Sequence, residues 1–139
     1  MSEHDDDSPA KPVRGPVRRR HVNPIPAEGE NGVYTQSWFP LALSSQVGKG
    51  QLVGRDFLDG RVVVFRGDSG EVSVVSAFCP HLGADLGQGR VIGNQLQCPF
   101  HHWEYDLEGI CRKTGIGDPP PPDACLFKFP TCEKFGIIW

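Results

Sequence analysis

The sequence lacks any apolar run approaching the roughly 18 residues that a membrane-spanning helix requires, so no membrane partner is expected. Its acidic first ten residues have neither the apolar stretch of a secretory signal nor the acid-poor character of a mitochondrial transit peptide. A formal net charge of −3 gives no reason to expect nucleic-acid binding. Together these absences predict a soluble, cytoplasmic protein.

The sequence also lacks a sustained 3.6-residue apolar period, so it does not predict a helical bundle. Gly and Pro are abundant, at 17 and 13 of 139 residues, which favours many turns. Short β-branched segments alternate with turn residues, and hairpins are predicted at Asp59-Gly60 (type I′) and at Gly93-Asn94. We therefore expect six to nine short strands in a small antiparallel all-β fold.

The first 32 residues differ from the rest of the chain. They hold five of the 13 prolines and almost no large apolar side chains. An acidic run at Asp5–Asp7 is followed by a basic run at Arg18–Arg20. Such a segment buries too little apolar surface to offset its ordering entropy. We expect a disordered Pro-rich tail at residues 1–32 and one folded domain at residues 33–139.

Two short motifs combine cysteine with histidine. Cys79 and His81 form a C-x-H motif, and after sixteen residues Cys98 and His101 form a C-x-x-H motif. Each follows a predicted strand, and the Gly93-Asn94 hairpin would bring the two loops, at about residues 78–106, to one tip. In a reducing compartment, closely spaced cysteines are more often metal ligands than disulfides.

The donor set of two thiolates and two imidazoles suits either zinc or an iron–sulfur centre. A zinc finger pairs Cys with Cys and His with His, whereas here each loop supplies one of each. That division favours a two-iron cluster in which one iron takes both Cys and the other takes both His. A structural zinc site, or unliganded Cys and His in the core, is the alternative.

With these motifs, and with Leu86 and Gly89 after the first loop, the chain resembles the Rieske domain family over about residues 33–139. The resemblance implies a Rieske fold, in which a β-sandwich-like base carries a cluster-binding subdomain of two loops. It also implies a Rieske-type [2Fe–2S] cluster, with the Cys on a buried iron and the His on an outer iron. The implied ligands, all on these two loops, are Cys79, His81, Cys98 and His101.

Within the predicted domain, four further Cys and His residues need assignment. His102 could replace His101 as a ligand, but the C-x-x-H spacing favours His101. The other three, which have neither a matching His nor C-x-x-C spacing, are expected to be small buried hydrophobes: Cys111, Cys125 and Cys132.

The loops differ from those of quinol-oxidising Rieske proteins. Ala84 and Phe100 stand where that branch has a disulfide, and Trp103 stands where it has a serine that donates to the cluster. Fewer donors predict a potential at the low end of the Rieske range, about −150 to +300 mV. Tyr105 is placed where its hydroxyl could still reach a cluster sulfur.

The chain is most similar to the N-terminal Rieske domain of ring-hydroxylating, Rieske non-haem iron oxygenases, through Trp38–Ala42 and the Trp103 and Tyr105-Asp106 positions. This implies electron transfer from a reductase or ferredoxin to an oxygenase catalytic domain. No His follows His102, so we expect no complete mononuclear-iron site and no catalytic residue in this chain. Whether this oxidoreductase component is an enzyme stays open, and a free Rieske-type ferredoxin or a cluster-stabilised redox sensor or interaction module are alternatives.

Overall fold

The computed structural model describes Pro24–Ile25 and residues 36–139. These residues form eleven strands, with 3₁₀ turns at Ser44–Gln46 and Leu86–Gln88. The strands are β1 (Ala42–Leu43), β2 (Leu52–Phe57), β3 (Gly60–Arg66), β4 (Val72–Ser76), β5 (Arg90–Ile92), β6 (Gln95–Gln97), β7 (Glu104–Tyr105), β8 (Cys111–Lys113), β9 (Lys128–Phe129), β10 (Glu133–Lys134) and β11 (Ile137–Ile138). The all-β prediction is confirmed, and the strand count exceeds the expected six to nine because five strands have only two residues.

All strand pairs in the described residues are antiparallel and form three sheets. The base sheet has the order β2-β3-β4-β9, and the tip sheet has the order β5-β6-β7-β8. A small third sheet, β1-β11-β10, closes the far side of the base. Within this part of the chain, no helix has the length and apolar character needed to cross a membrane.

Strand β3 is buried on both faces, which explains its unbroken apolar run at Val62–Phe65. Val63 and Phe65 pack in one core with residues of the tip sheet, including Leu96 and Tyr105. Val62 and Val64 pack on the opposite side with Ile138 of the third sheet. The first of these cores lies under the two cysteine-bearing loops, so the loops stand on a closely packed base.

The first predicted hairpin is displaced by one residue. Phe57 pairs with Gly60, so the turn consists of Leu58 and Asp59, with Leu58 at φ 51°. The predicted Asp59-Gly60 turn is therefore wrong. A Cβ on Gly60 would lie 2.5 Å from Cγ1 of Ile25, so this glycine permits close packing within the strand.

The second predicted hairpin is confirmed, since Ile92 pairs with Gln95 across Gly93 and Asn94. Gly93 adopts φ 59°, the left-handed conformation that such a turn requires. This hairpin sets β5 beside β6 and thereby brings the ends that carry the two loops together.

The disordered tail predicted for residues 1–32 lies outside the described residues, except for Pro24 and Ile25. Ile25 is buried, with 3% of its surface exposed, and belongs to the core beside Val62.

Candidate metal centre

Two loops with the same backbone design carry the four predicted ligands. The first loop (residues 77–85) follows β4, and the second loop (residues 98–103) joins β6 to β7. In the first, the Cys79 amide donates to the Ala84 carbonyl at 2.9 Å, and the Gly83 amide donates to the Cys79 carbonyl at 2.7 Å. The first loop is thus folded back onto its own cysteine.

The second loop repeats this pattern with the same spacing. The Cys98 amide donates to the Trp103 carbonyl at 2.8 Å, and the His102 amide donates to the Cys98 carbonyl at 3.2 Å. His102 adopts φ 59° where the first loop has Gly83 at φ 78°. His102 therefore occupies a left-handed position that favours glycine.

The cysteines and histidines lie at different depths. Cys79 and Cys98 are each 2% exposed and belong to the core under the tip. His81 and His101 are exposed, and their ring centroids lie 4.7 Å apart. The structure thus places the four predicted residues as two pairs, a buried thiol pair and a surface imidazole pair.

The buried thiol of Cys79 has a polar partner in the core. Its Sγ lies 3.0 Å from the hydroxyl of Tyr105, a residue with no exposed surface. Burial raises the pKa of the Cys79 thiol, whereas the hydrogen bonds from Tyr105 and from the His81 backbone oppose the rise. Burial, followed by the bond to Cys79, raises the pKa of Tyr105, so its hydroxyl stays protonated and is able to donate to a thiolate at Cys79.

Aromatic rings flank the two imidazoles. Trp103 stacks on His81, with the ring centroids 4.3 Å apart and the planes 10° from parallel. Phe100 contacts His101 with centroids 3.9 Å apart. Leu82 and Phe100 are 66% and 61% exposed, so apolar side chains surround the imidazole pair at the surface.

The donor set fits a two-iron cluster. Within residues 24–25 and 36–139, no three His, Cys, Asp or Glu side chains converge as a site for a single metal ion. A [2Fe–2S] centre of the mixed type needs only two thiolates for one iron and two imidazoles for the other. The observed thiol pair and imidazole pair match that division.

The remaining cysteines differ in burial. Cys111 is 5% exposed and belongs to the core, as predicted, and burial raises the pKa of its thiol. Cys125 and Cys132 are only partly buried, so the expectation of buried hydrophobes is wrong for these two.

A third loop, residues 114–122, borders the imidazole pair and was not assigned to the site by sequence reasoning. It helps to enclose a cleft of about 460 Å³ beside the imidazoles, with a lining that includes His81, His101, His102, Trp103, Gly115 and Pro121. The loop ends in four consecutive prolines at 119–122. The signal that could have identified the loop is the Gly-x-Gly at 115–117 leading into that proline run.

The fold and the site together define a small antiparallel β protein that presents a two-Cys, two-His centre on paired loops. The model of the Rieske [2Fe–2S] domain family matches residues 37–129. The chain belongs to this family, whose cofactor is a Rieske-type [2Fe–2S] cluster and whose cluster transfers electrons.

The chain is similar in sequence and in structure to proteins that include oxygenases. A probable 3-ketosteroid-9-alpha-monooxygenase, oxygenase component, from Rhodococcus rhodochrous is 33% identical over 76% of this chain and 27% of its own length. Cholesterol 7-desaturase from Bombyx mori is 30% identical over 91% of this chain and 29% of its own length. The crystal structure of dicamba monooxygenase superposes with a TM-score of 0.69 at 31% identity, over 74% of this chain and 33% of that one.

This chain therefore spans less than a third of the length of these two curated relatives. The shared part is the Rieske domain.

Proposed function

We propose that the chain carries single electrons through a Rieske cluster held by four ligands. It would do so as the Rieske domain or electron-carrier component of a ring-hydroxylating-type oxygenase system. The domain extends over residues 33–139, with the cluster-binding loops at about 78–106. The ligands are Cys79, His81, Cys98 and His101. The observation that carries the proposal is the depth arrangement, in which the thiols are buried and the imidazoles reach the surface.

When bound, the cluster supplies a one-electron redox couple. On the thiol side, the protein contributes a buried, water-free environment with a hydrogen-bond partner for one sulfur. Burial of Cys79 and Cys98 excludes water from their sulfur atoms, and Tyr105 would donate to the Cys79 sulfur once that sulfur is a thiolate ligand. Such donors and the surrounding dielectric are the means by which a protein sets the potential of an iron–sulfur centre.

On the imidazole side, the protein orients two rings at the surface. Trp103 stacks on His81, and Phe100 packs on His101. Because these rings border solvent, a partner protein that covers the tip comes within contact of both imidazoles. The exposed imidazole edge is therefore the expected exit and entry route for the electron.

The surface around that edge is apolar and lacks positive charge. Leu82, Phe100 and Ile116 are 66%, 61% and 85% exposed, one from each of the three loops. No Lys or Arg occurs in residues 78–86, 98–104 or 114–122. We infer that a reductase or ferredoxin, as donor, and an oxygenase catalytic domain, as acceptor, dock here chiefly through apolar contact.

The relatives support this role. The Rhodococcus rhodochrous relative is named as the oxygenase component of a monooxygenase, which implies a separate source of electrons.

Stopped-flow spectroscopy tests the proposal. The oxidised protein is mixed anaerobically with a reduced plant-type ferredoxin. The bleaching of the visible absorption of this protein's cluster is then followed. We expect second-order reduction that slows several-fold in Ile116→Glu, because a charge at the tip must be desolvated on docking. Ile92→Glu is the matched control, since Ile92 is an exposed isoleucine in the hairpin away from the loops.

Two outcomes would contradict the proposal. A protein whose cluster is not reduced by the ferredoxin would not be a carrier, and would favour the redox-sensor or interaction role. Equal slowing by Ile116→Glu and Ile92→Glu would show that docking does not take place at the tip.

A further inference from the structure

The third loop contacts the second loop through backbone atoms at the predicted ligand His101. Gly115 is so close to His101 that a Cβ on this glycine would lie 2.0 Å from the His101 carbonyl oxygen and 3.1 Å from the carbonyl carbon. The φ of Gly115 lies outside the left-handed region, so no turn requires glycine here. What requires glycine is the close approach of two backbone segments.

The third loop is held in shape by its own hydrogen bonds. Thr114 is 4% exposed, and its hydroxyl donates to the Asp118 carbonyl at 2.7 Å. The Gly117 amide donates to the Thr114 carbonyl at 3.3 Å. The loop is therefore closed on itself directly after β8, which is paired with β7.

The second loop is constrained on its other side. The peptide that joins His101 to His102 donates its N–H to the Cys98 carbonyl, while its carbonyl faces Gly115. Any displacement of this peptide therefore moves the backbone of His101 and strains the hydrogen bond between the His102 N–H and the Cys98 carbonyl.

We propose that Gly115 is a positioning residue for His101, because its lack of a side chain lets the third loop press the His101 carbonyl into place. This inference rests on the proposed function, since it takes His101 as a cluster ligand. A side chain at position 115 would displace the His101 backbone and with it the imidazole that would hold one iron of the cluster.

The test compares Gly115→Ala with Gly67→Ala in the cluster-loaded protein. Gly67 is the matched control because a Cβ there would lie 2.2 Å from Oδ1 of Asn94, in the hairpin turn away from the cluster loops. The φ of Gly67 also lies outside the left-handed region. We expect both variants to lower the melting temperature.

Only Gly115→Ala should shift the midpoint potential and the g values of the reduced EPR signal. In pulsed EPR it should change the nitrogen couplings of one histidine and leave those of the other unchanged. Wild-type potential and couplings in Gly115→Ala would overturn the inference, as would equal changes in Gly67→Ala.

Thr114→Val covers the case in which Gly115→Ala does not retain a cluster. It removes the hydroxyl that closes the third loop and leaves Gly115 in place. We expect a smaller change in the same histidine couplings, and wild-type couplings in Thr114→Ser, which keeps the hydroxyl. If Gly115→Ala holds no cluster and Thr114→Val has wild-type couplings, the inference is overturned.

Failure of the ligand assignment and failure of the positioning role give different results. Absence of histidine nitrogen couplings in the wild-type protein would overturn the ligand assignment itself. Wild-type couplings that stay unchanged in Gly115→Ala would overturn the positioning role alone.

Discussion

At the residue scale, Tyr105 has the most direct influence on the site that the structure shows. Its hydroxyl is fully buried and lies 3.0 Å from the Cys79 sulfur. A donor to a ligand sulfur stabilises the reduced, more negative state, so Tyr105→Phe should lower the midpoint potential. A differential stabilisation of about 1 kcal/mol corresponds to roughly 40 mV for a one-electron couple. Protein-film voltammetry measures this shift.

Ser73→Ala provides the control for that substitution. Ser73 is also fully buried and donates to the Leu107 carbonyl at 2.6 Å, so its loss removes a buried hydroxyl without touching a sulfur. An equal drop in potential for both variants would show that general destabilisation, and not the donor to Cys79, causes the shift.

His102 illustrates strain at a single residue. It holds φ 59° at the position equivalent to Gly83, where a Cβ is disfavoured. We expect His102→Gly to keep the cluster and to raise stability by about 0.5–1 kcal/mol, because relief of strain outweighs the added flexibility of the unfolded chain. Thermal unfolding monitored by visible absorption checks this. Loss of the cluster would instead identify His102 as a ligand.

At the element scale, the paired loops show how much of the site could be predicted from the sequence. The C-x-H and C-x-x-H motifs, together with the Gly93-Asn94 hairpin, predict that both loops meet at one tip, and the rings of His81 and His101 are indeed 4.7 Å apart. These features are local in sequence and chemically specific. The ligand assignment itself stays a prediction.

Other elements could not be predicted because they depend on distant contacts. The turn lies at Leu58-Asp59 because Gly60 is paired within β3, where it packs closely against Ile25, 35 residues away in the chain. The third loop reaches the site through the Gly115 backbone, and the Gly-x-Gly pattern at 115–117 does not indicate which backbone segment Gly115 contacts. Two-residue strands such as β1 and β11 exist only through their partners and have no periodicity of their own.

The ion pair between β3 and β10 gives a prediction for pH dependence. Arg66 binds both carboxylate oxygens of Glu133, and this interaction lowers the pKa of Glu133. A lowered folded-state pKa stabilises the protein above the unfolded pKa of a glutamate, about 4.3, and the contribution disappears as pH falls through the folded value. Glu133→Gln should therefore destabilise the protein near pH 7 and have little effect at the acid end.

Near pH 7, Glu133→Gln is expected to lower the free energy of unfolding by a few tenths of a kcal/mol to about 1 kcal/mol, since Glu133 is partly exposed and solvent screens the pair. Melting temperatures of the wild-type protein and of Glu133→Gln, taken across the pH range, measure this destabilisation. Glu71→Gln, at an exposed carboxyl outside the described ion pairs, is the control. A difference that grows as the pH falls would have the wrong sign and would contradict the assignment.

At the scale of the whole molecule, the charge distribution predicts how partners associate. The chain carries a formal net charge of −3, yet its three tip loops have no Lys or Arg and expose Leu82, Phe100 and Ile116. Steering between charged proteins weakens steeply with salt, whereas apolar contact does not. We expect the rate of electron exchange with an electroneutral redox partner to change less than about twofold between about 0.05 M and 0.5 M salt. A tenfold loss measured by stopped flow would show that charge governs docking.

The molecule as a whole is a packed β base that carries a cluster-binding tip. We propose that its two buried thiols and two exposed imidazoles hold a Rieske cluster. Pulsed EPR of the dithionite-reduced protein, combined with iron analysis, tests this most directly. We expect two irons per chain, a rhombic signal of low average g and couplings to two imidazole nitrogens, retained in His102→Ala and lost in His101→Ala. A colourless zinc-bound protein, or a signal without imidazole nitrogen couplings, would contradict it.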